Sequence, residues 1–251
     1  MRFTIASEPT PGRQNEDYAI VGQDWAVVLD GATAIKPDQN GCIHDVTWLV
    51  HRLAGDLARI LTINQDKPLT DALAEAIVAT CKAHESTCDL DNPDSPSSTV
   101  TILRRRGEDL DYLVLGDSPL LLDRGGEIEA VTDDRMSNLT DYSYEAVIAV
   151  QNTPDGYYVA STLADAAYMS VHGTTAAAAV SSAVLLTDGA ARLVNLFQEL
   201  DWPGLLRALR EDGPASVITR TRRTEEAEGP INDGRLRKLH DDVTAVLIDI
   251  Q

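Results

Sequence analysis

Hydrophobic positions in this chain fall into blocks of two kinds. Some are unbroken: Trp25-Ala26-Val27-Val28-Leu29, Ala183-Val184-Leu185-Leu186-Thr187 and Val243-Thr244-Ala245-Val246-Leu247-Ile248. They are rich in β-branched residues and bounded by polar or glycine positions, which predicts buried strands. Residues 2–6 alternate loosely and predict an edge strand. Residues 99–104 with 110–115 predict a hairpin, with Arg104-Arg105-Arg106 at its solvated tip; Leu120-Leu121-Leu122 with 127–131 predicts a second.

Other blocks recur at three- and four-residue spacing. Val46, Leu49, Val50, Leu53, Leu57 and Ile60 predict a helix over 43–61, and Leu73, Ile77 and Cys81 a second over 70–86 with Thr70 as its N-cap. The chain turns helical again after Asp188-Gly189. A further helix follows Asp201-Trp202-Pro203, with Asp201 as N-cap and proline in the first turn. The charged stretch 221–240 predicts a helix broken near Gly229-Pro230, and 36–41 reads as a polar loop. Residues 133–175 mix polar positions with a helical piece at 144–150 and a strand-like Tyr157-Tyr158-Val159-Ala160. Strands in blocks and helices in pairs indicate an α+β fold rather than alternating βαβ units. No repeat or linker divides the chain, so residues 1–251 are expected to form one domain.

Composition narrows the function. The 251 residues suffice for a substantial core, and with aromatics at 5% that core must be aliphatic. A net charge of −19 argues against a nucleic-acid or anionic-membrane partner. No run approaches the ~20 apolar residues of a membrane span. The opening residues lack an apolar signal core, and three cysteines are an odd, low count, so a reducing cytoplasm is expected. Cys81, His84 and Cys88 share one face of the second predicted helix. A zinc site there lacks a fourth ligand and the usual spacing, so ordinary helix packing is the expectation.

The chemistry-bearing pattern is an acid at the end of each apolar strand. Asp30-Gly31 follows the first run, Gly116-Asp117 follows Tyr112-Leu113-Val114-Leu115, Asp188-Gly189 follows the run at 183–187, and Asp241-Asp242 precedes the last. If those ends converge, the carboxylates crowd; two like charges ~4 Å apart repel by roughly 4 kcal/mol at an effective dielectric near 20. Divalent cations with all-oxygen ligands, Mg²⁺, Mn²⁺ or Ca²⁺, would relieve this. Singly, each acid is better read as a turn residue or helix cap.

The ordered set Arg13…Glu16-Asp17, Asp30-Gly31, Ser98-Thr99 with Gly116-Asp117-Ser118, Asp188-Gly189 and Asp241-Asp242-Val243-Thr244 resembles the metal-dependent protein phosphatases, the 2C-type serine/threonine enzymes. The resemblance implies a four-layer αββα sandwich of two mainly antiparallel sheets flanked by helix pairs. It implies two Mn²⁺ or Mg²⁺ ions, a metal-activated water and a phosphoserine or phosphothreonine protein as substrate. The metal ligands it implies are Glu16, Asp30, the Gly31 carbonyl, Asp188 and Asp241, with Asp30 bridging. Asp17 is implied as an outer-shell acid and Asp117 as the ligand of a third, weaker ion. Arg13 is implied as the phosphate-holding residue, and residues 133–175 as a flap. Asp242 falls where the family usually has Asn, and a one-residue shift would exchange it with Asp241.

Two departures stand out. Arg13 is four residues before Asp17, where the family has five. Ala32-Thr33-Ala34 follows Asp30-Gly31 where the family often has Gly-Gly or a His, and His44 is the nearest candidate acid for a leaving group. A phosphatase-like regulatory module with weak catalysis is therefore the alternative, and an acidic calcium-binding protein a third reading. No P-loop or Gly-x-Ser-x-Gly elbow is present.

Overall fold

A computed structural model describes residues 1–32, 39–230 and 238–250. The strands are β1 (Arg2–Glu8), β2 (Asp17–Val21), β3 (Trp25–Ala32), β4 (Ser97–Arg106), β5 (Asp109–Leu115), β6 (Leu120–Arg124), β7 (Glu127–Val131), β8 (Val171–Ala176), β9 (Ser182–Leu186) and β10 (Val243–Asp249). The helices are α1 (Val46–Ile63), α2 (Leu69–His84), α3 (Tyr144–Val150), α4 (Asp188–Asn195), α5 (Trp202–Glu211) and α6 (Pro214–Glu228). Two five-stranded sheets form, ordered β1-β10-β9-β6-β7 and β2-β3-β4-β5-β8, and every pairing is antiparallel.

Three buried clusters stack these elements into four layers. Val27 and Leu29 of β3 pack with Val100 and Ile102 against Leu53 and Leu57 of α1 and Ile77 of α2. Their neighbours Ala26 and Val28 point the other way and meet Leu120, Leu185 and Val246 between the sheets. On the far side, Val184, Leu186 and Ala245 bury α4, α5 and α6 through Leu193, Leu205 and Ile218. A strand buried on both faces cannot alternate apolar with polar, which is why these runs are unbroken in sequence. The expected αββα sandwich is present, but one flank carries three helices rather than a pair.

Several elements differ from expectation. α2 is preceded by Pro68, not capped by Thr70; no side chain caps it, and an early start buries Leu69, 6% exposed. It ends at His84, so Cys88 lies beyond the helix, and Cys81 turns instead toward the Ser161 and Thr162 carbonyls, 3.9 and 3.6 Å away. Arg104 is not at a solvated tip. It is 3% exposed and donates to Asp111 Oδ2 and the Lys67 carbonyl, each over 2.8 Å; Gly107, at φ 63°, makes the turn.

Residues 157–160 form only isolated bridges, one of them Ser98 to Ala160. β8 is an additional edge strand on β5, mostly exposed and so without an apolar signature. α6 begins at Pro214 and its last residue is Glu228, capped by Gly229; residues 231–237 of the predicted span and 36–38 of the predicted 36–41 loop lie outside the described residues. No helix among the described residues is long and apolar enough to cross a membrane.

Candidate active site

β2 and β3 bring Asp17 opposite Asp30. β4 braces the tip from its other side, where Ser98 Oγ donates to the Asp30 carbonyl over 3.0 Å. Gly31 N–H donates to the Glu16 carbonyl over 3.2 Å. A Cβ at Gly31 would overlap Val46 and stand 2.6 Å from that carbonyl, so only glycine permits this approach.

The opposite sheet supplies the other acids. β9 ends at Leu186, and Asp188 opens α4. Its backbone N–H donates to Asp30 Oδ2 over 3.2 Å. Thr187 Oγ1 donates to the buried Asp17 Oδ2 over 2.9 Å and accepts from Thr244 N–H over 3.0 Å. Ser7 Oγ and Thr244 Oγ1 lie 2.7 Å apart. Thr187 thus ties Asp17 of one sheet to β10 of the other, while Ser98 and the Ser7–Thr244 pair brace strands within their own sheets.

Asp241 and Asp242 face in different directions. Asp242 accepts Thr10 N–H on Oδ1 and Glu16 N–H on Oδ2, both over 2.6 Å, so it anchors the loop that carries Glu16. Asp241 Oδ2 accepts from Arg192 Nη2 over 3.1 Å, and its Oδ1 lies 3.5 Å from Lys238 Nζ. Gly189 lets the helix start press on this loop, because a Cβ there would overlap the Asp242 carbonyl oxygen. Asp117 follows Gly116 (φ 84°), whose N–H donates to Asp133 Oδ2 over 3.1 Å.

Asp117, Asp188 and Asp241 line a cleft of about 750 Å³ together with Asp133, Arg192 and Lys238. Asp30 and Asp17 are not among the lining residues; Asp30 connects to the cleft through the Asp188 N–H, and Asp17 is held by Thr187 beside it. Burial first, then the charges of Asp188, Asp17, Asp241 and Asp117, push the Asp30 carboxyl well above the usual range. Desolvation and the charges of Asp241 and Asp117 push Asp188 up to about 7. Burial, with Asp133 and Asp241, raises Asp117. Asp117 and Asp188 also open onto solvent in the cleft, so water and salt moderate both shifts. Lys238 is held up, against its own desolvation, by Asp241, Glu16, Asp30 and Asp188, which puts Glu16 within electrostatic reach of the same cluster.

This donor set fits hard divalent cations. It offers carboxylate oxygens from four chain segments, and its crowding is the electrostatic deficit that such ions relieve. Among the described residues no three of these acids bring one oxygen each within 4.8 Å of one another, so they ring a volume rather than a point.

Arg13 does not join the ring. Its N–H closes a turn on the Thr10 carbonyl over 3.0 Å, and it is exposed and absent from the cleft lining. His44 stacks on Trp48, in the α1 layer, and is also absent from the cleft lining. The residues missed in sequence are Arg192, Lys238 and Glu225. Arg192 stands four residues after Asp188 on α4, a spacing that sets two side chains on one helix face and could have revealed it. It also donates from Nη1 to the fully buried Glu225 over 2.6 Å.

A model of the family described as Protein phosphatase 2C matches residues 10–228. The chain belongs to the protein phosphatase 2C family. Solved members share its fold at low identity. The Mycobacterium tuberculosis serine/threonine phosphatase PstP/Ppp is 18% identical, with 99% of this chain and 97% of that one covered and a TM-score of 0.62. Stp1 from Staphylococcus aureus is 14% identical, with 99% and 94% covered and a TM-score of 0.65. A PstP catalytic domain in complex with two manganese ions is 19% identical, with 99% and 97% covered and a TM-score of 0.59. No curated protein matches the sequence. As a phosphatase 2C chain with the family's two-sheet fold, this is a metal-dependent protein phosphatase.

Proposed function

We propose that this phosphatase 2C chain hydrolyses phosphoserine and phosphothreonine monoesters in proteins, using two Mn²⁺ or Mg²⁺ ions held by Glu16, Asp30, Gly31, Asp188 and Asp241. The observation that carries the reading is the meeting of Asp30 with Asp188 across the two sheets, beside Asp241 and Asp117. When bound, such a pair of ions supplies Lewis-acid stabilisation of a phosphoryl oxygen and a water of lowered pKa.

The chain's own residues set the geometry. Asp30, central to the cluster, is the natural bridging carboxylate. Thr187 and the Asp188 backbone fix Asp17 and Asp30, while Arg192 fixes Asp241. Asp17 serves behind the ligands, and Asp117 is suited to a third ion. Arg13 is the proposed phosphate contact through a bidentate guanidinium, and because it is exposed and outside the cleft lining its side chain has to turn inward to reach a bound phosphate.

In this reading residues 1–251 act as one catalytic unit, and 133–175 are its flap. Met136, Ser137, Tyr142, Tyr144 and Val147 of that segment line the cleft, which supports the assignment. A cytoplasmic location goes with it, and the three free cysteines are consistent with a reducing compartment.

The test is hydrolysis of a generic phosphate monoester and of phosphoserine peptides by the purified chain with Mn²⁺. Activity should vanish with EDTA and in Asp30→Asn. Hydrolysis that survives both would overturn the mechanism, and a chain that binds phosphopeptides without turnover would restore the regulatory-module reading.

A further inference from the structure

The described residues contain one compact set of soft metal ligands, and it lies outside the carboxylate cluster. Cys42, His84 and Cys88 bring one ligand atom each within 4.8 Å of one another. Cys42 Sγ lies 2.8 Å from Cys88 Sγ and 3.5 Å from His84 Nδ1. The three come from separate segments: the loop that leads from β3 into α1, the last residue of α2, and the turn after it.

The surroundings set the three groups differently: burial, then the hydrogen bond with Cys88, push the Cys42 thiol up to about 11, so a bound ion must displace its proton. The segment around Cys42 is held by hydrogen bonds, with Asp89 N–H donating to the Gly41 carbonyl over 2.8 Å and Cys42 N–H to Asn40 Oδ1 over 2.9 Å. His84 is 4% exposed. Burial, and then the neighbouring His44, hold its imidazole below its usual pKa, so it is neutral as a ligand must be. Although burial works the other way, Cys88 is held below the usual thiol range by Cys42 and by the backbone N–H groups of Ile43 and His44, which donate to its sulfur. His44 stacks on Trp48 at 4.0 Å, with its ring centroid 5.9 Å from that of His84.

We propose that Cys42, Cys88 and His84 Nδ1 bind a Zn²⁺-type ion that staples the β3–α1 loop to the C-terminal end of α2. Two sulfurs and an imidazole select borderline-soft, tetrahedral ions over Mn²⁺ or Mg²⁺, and the fourth position is left to His44 or water. Binding releases the two thiol protons to solvent and involves no electron transfer. The proposal does not depend on the phosphatase reading, since its ligands are separate from those acids.

The test is a Co²⁺ titration of the full, reduced chain, followed by absorbance. Thiolate-to-cobalt charge-transfer and tetrahedral d–d bands should saturate at one equivalent. They should persist in Asp30→Asn and Cys81→Ser and be lost in Cys42→Ser and Cys88→Ser. Because loss of the fold in a cysteine variant would also remove the bands, unmodified protein supplies a second readout: stoichiometric Zn²⁺ should slow iodoacetamide labelling of Cys42 and Cys88 but not of Cys81. Absence of a thiolate band in reduced protein would overturn the proposal. So would a Cys42–Cys88 disulfide that forms in the presence of stoichiometric Zn²⁺, or bands that survive in a folded Cys42→Ser variant.

Discussion

The backbone N–H of Asp188 donates to Oδ2 of Asp30 over 3.2 Å, joining residues 158 positions apart, one near the end of β3 and one at the start of α4 just after β9 of the opposite sheet. The carboxylate that gathers most of the cluster's repulsion is therefore also the one that clasps the two sheets at their rim. Asn at position 30 would keep an oxygen acceptor for that N–H and remove a charge. Asp30→Asn should fold, melt at a higher temperature than the parent in EDTA, and lose Mn²⁺-dependent hydrolysis to background. Thermal melts and a phosphatase assay on the same sample check both halves; a lower melting temperature in EDTA would contradict the crowding argument.

Acidity should stabilise the metal-free protein. Asp30 and Asp188 bind protons more tightly folded than unfolded; Asp188 is pushed up to about 7 against an ordinary carboxyl at 3.8, a shift that solvent in the cleft moderates. Between those values the folded state holds more protons, so stability falls as pH rises through the window. Melting temperature in EDTA should decline from pH 5 toward pH 8, the opposite of proteins whose carboxylates are salt-bridged. Added Mn²⁺ should raise it more at pH 8 than at pH 5, because there the ion no longer competes with protons. A calorimetric series at constant ionic strength decides it.

The two adjacent acids before β10 should separate cleanly. Asp241→Asn removes a charge from the cleft and should weaken the Mn²⁺ response while leaving the fold intact. Asp242→Ala leaves the Thr10 and Glu16 N–H groups without their acceptor, and each unmet buried donor costs about 1–3 kcal/mol. Urea unfolding should show the loss for Asp242→Ala alone. Equal destabilisation by both would refute the assignment.

Glu225 is fully buried and accepts from Arg192, Arg222 and His240 over 2.6, 2.8 and 2.8 Å. Glu225→Gln breaks a buried ion-pair network and should cost roughly 3–5 kcal/mol. Because Arg192 also holds Asp241, Mn²⁺ affinity should fall about 10–100-fold, the usual effect of losing an outer-shell partner. Chemical denaturation and Mn²⁺ titration measure the two effects separately.

Gly189 offers a backbone test. An added methyl would overlap the Asp242 carbonyl oxygen, so Gly189→Ala should cost on the order of 1–3 kcal/mol by overpacking and lower activity by displacing Asp188. Gly55→Ala, at an ordinary negative φ with no atom within 4 Å of the added Cβ, should leave activity unchanged.

Unbroken runs such as 25–29 and 243–248 marked strands covered on both faces, which have no polar side to interrupt them, and with the blocked helices they determined an α+β fold; the four-layer sandwich followed only from the family resemblance. The order of the acid-bearing strand ends determined the family. Strand β8 escaped notice because an exposed edge carries no apolar signature. Only the tertiary structure decided which of Asp241 and Asp242 faces the cleft, since neighbouring side chains diverge and no composition records the direction. It alone paired Asp17 with Thr187, ran Glu225 through Arg192 to Asp241, and exchanged Cys81 for Cys42 beside His84 and Cys88. Each of these is a contact between residues distant in the chain, set by how the layers stack and not by local periodicity.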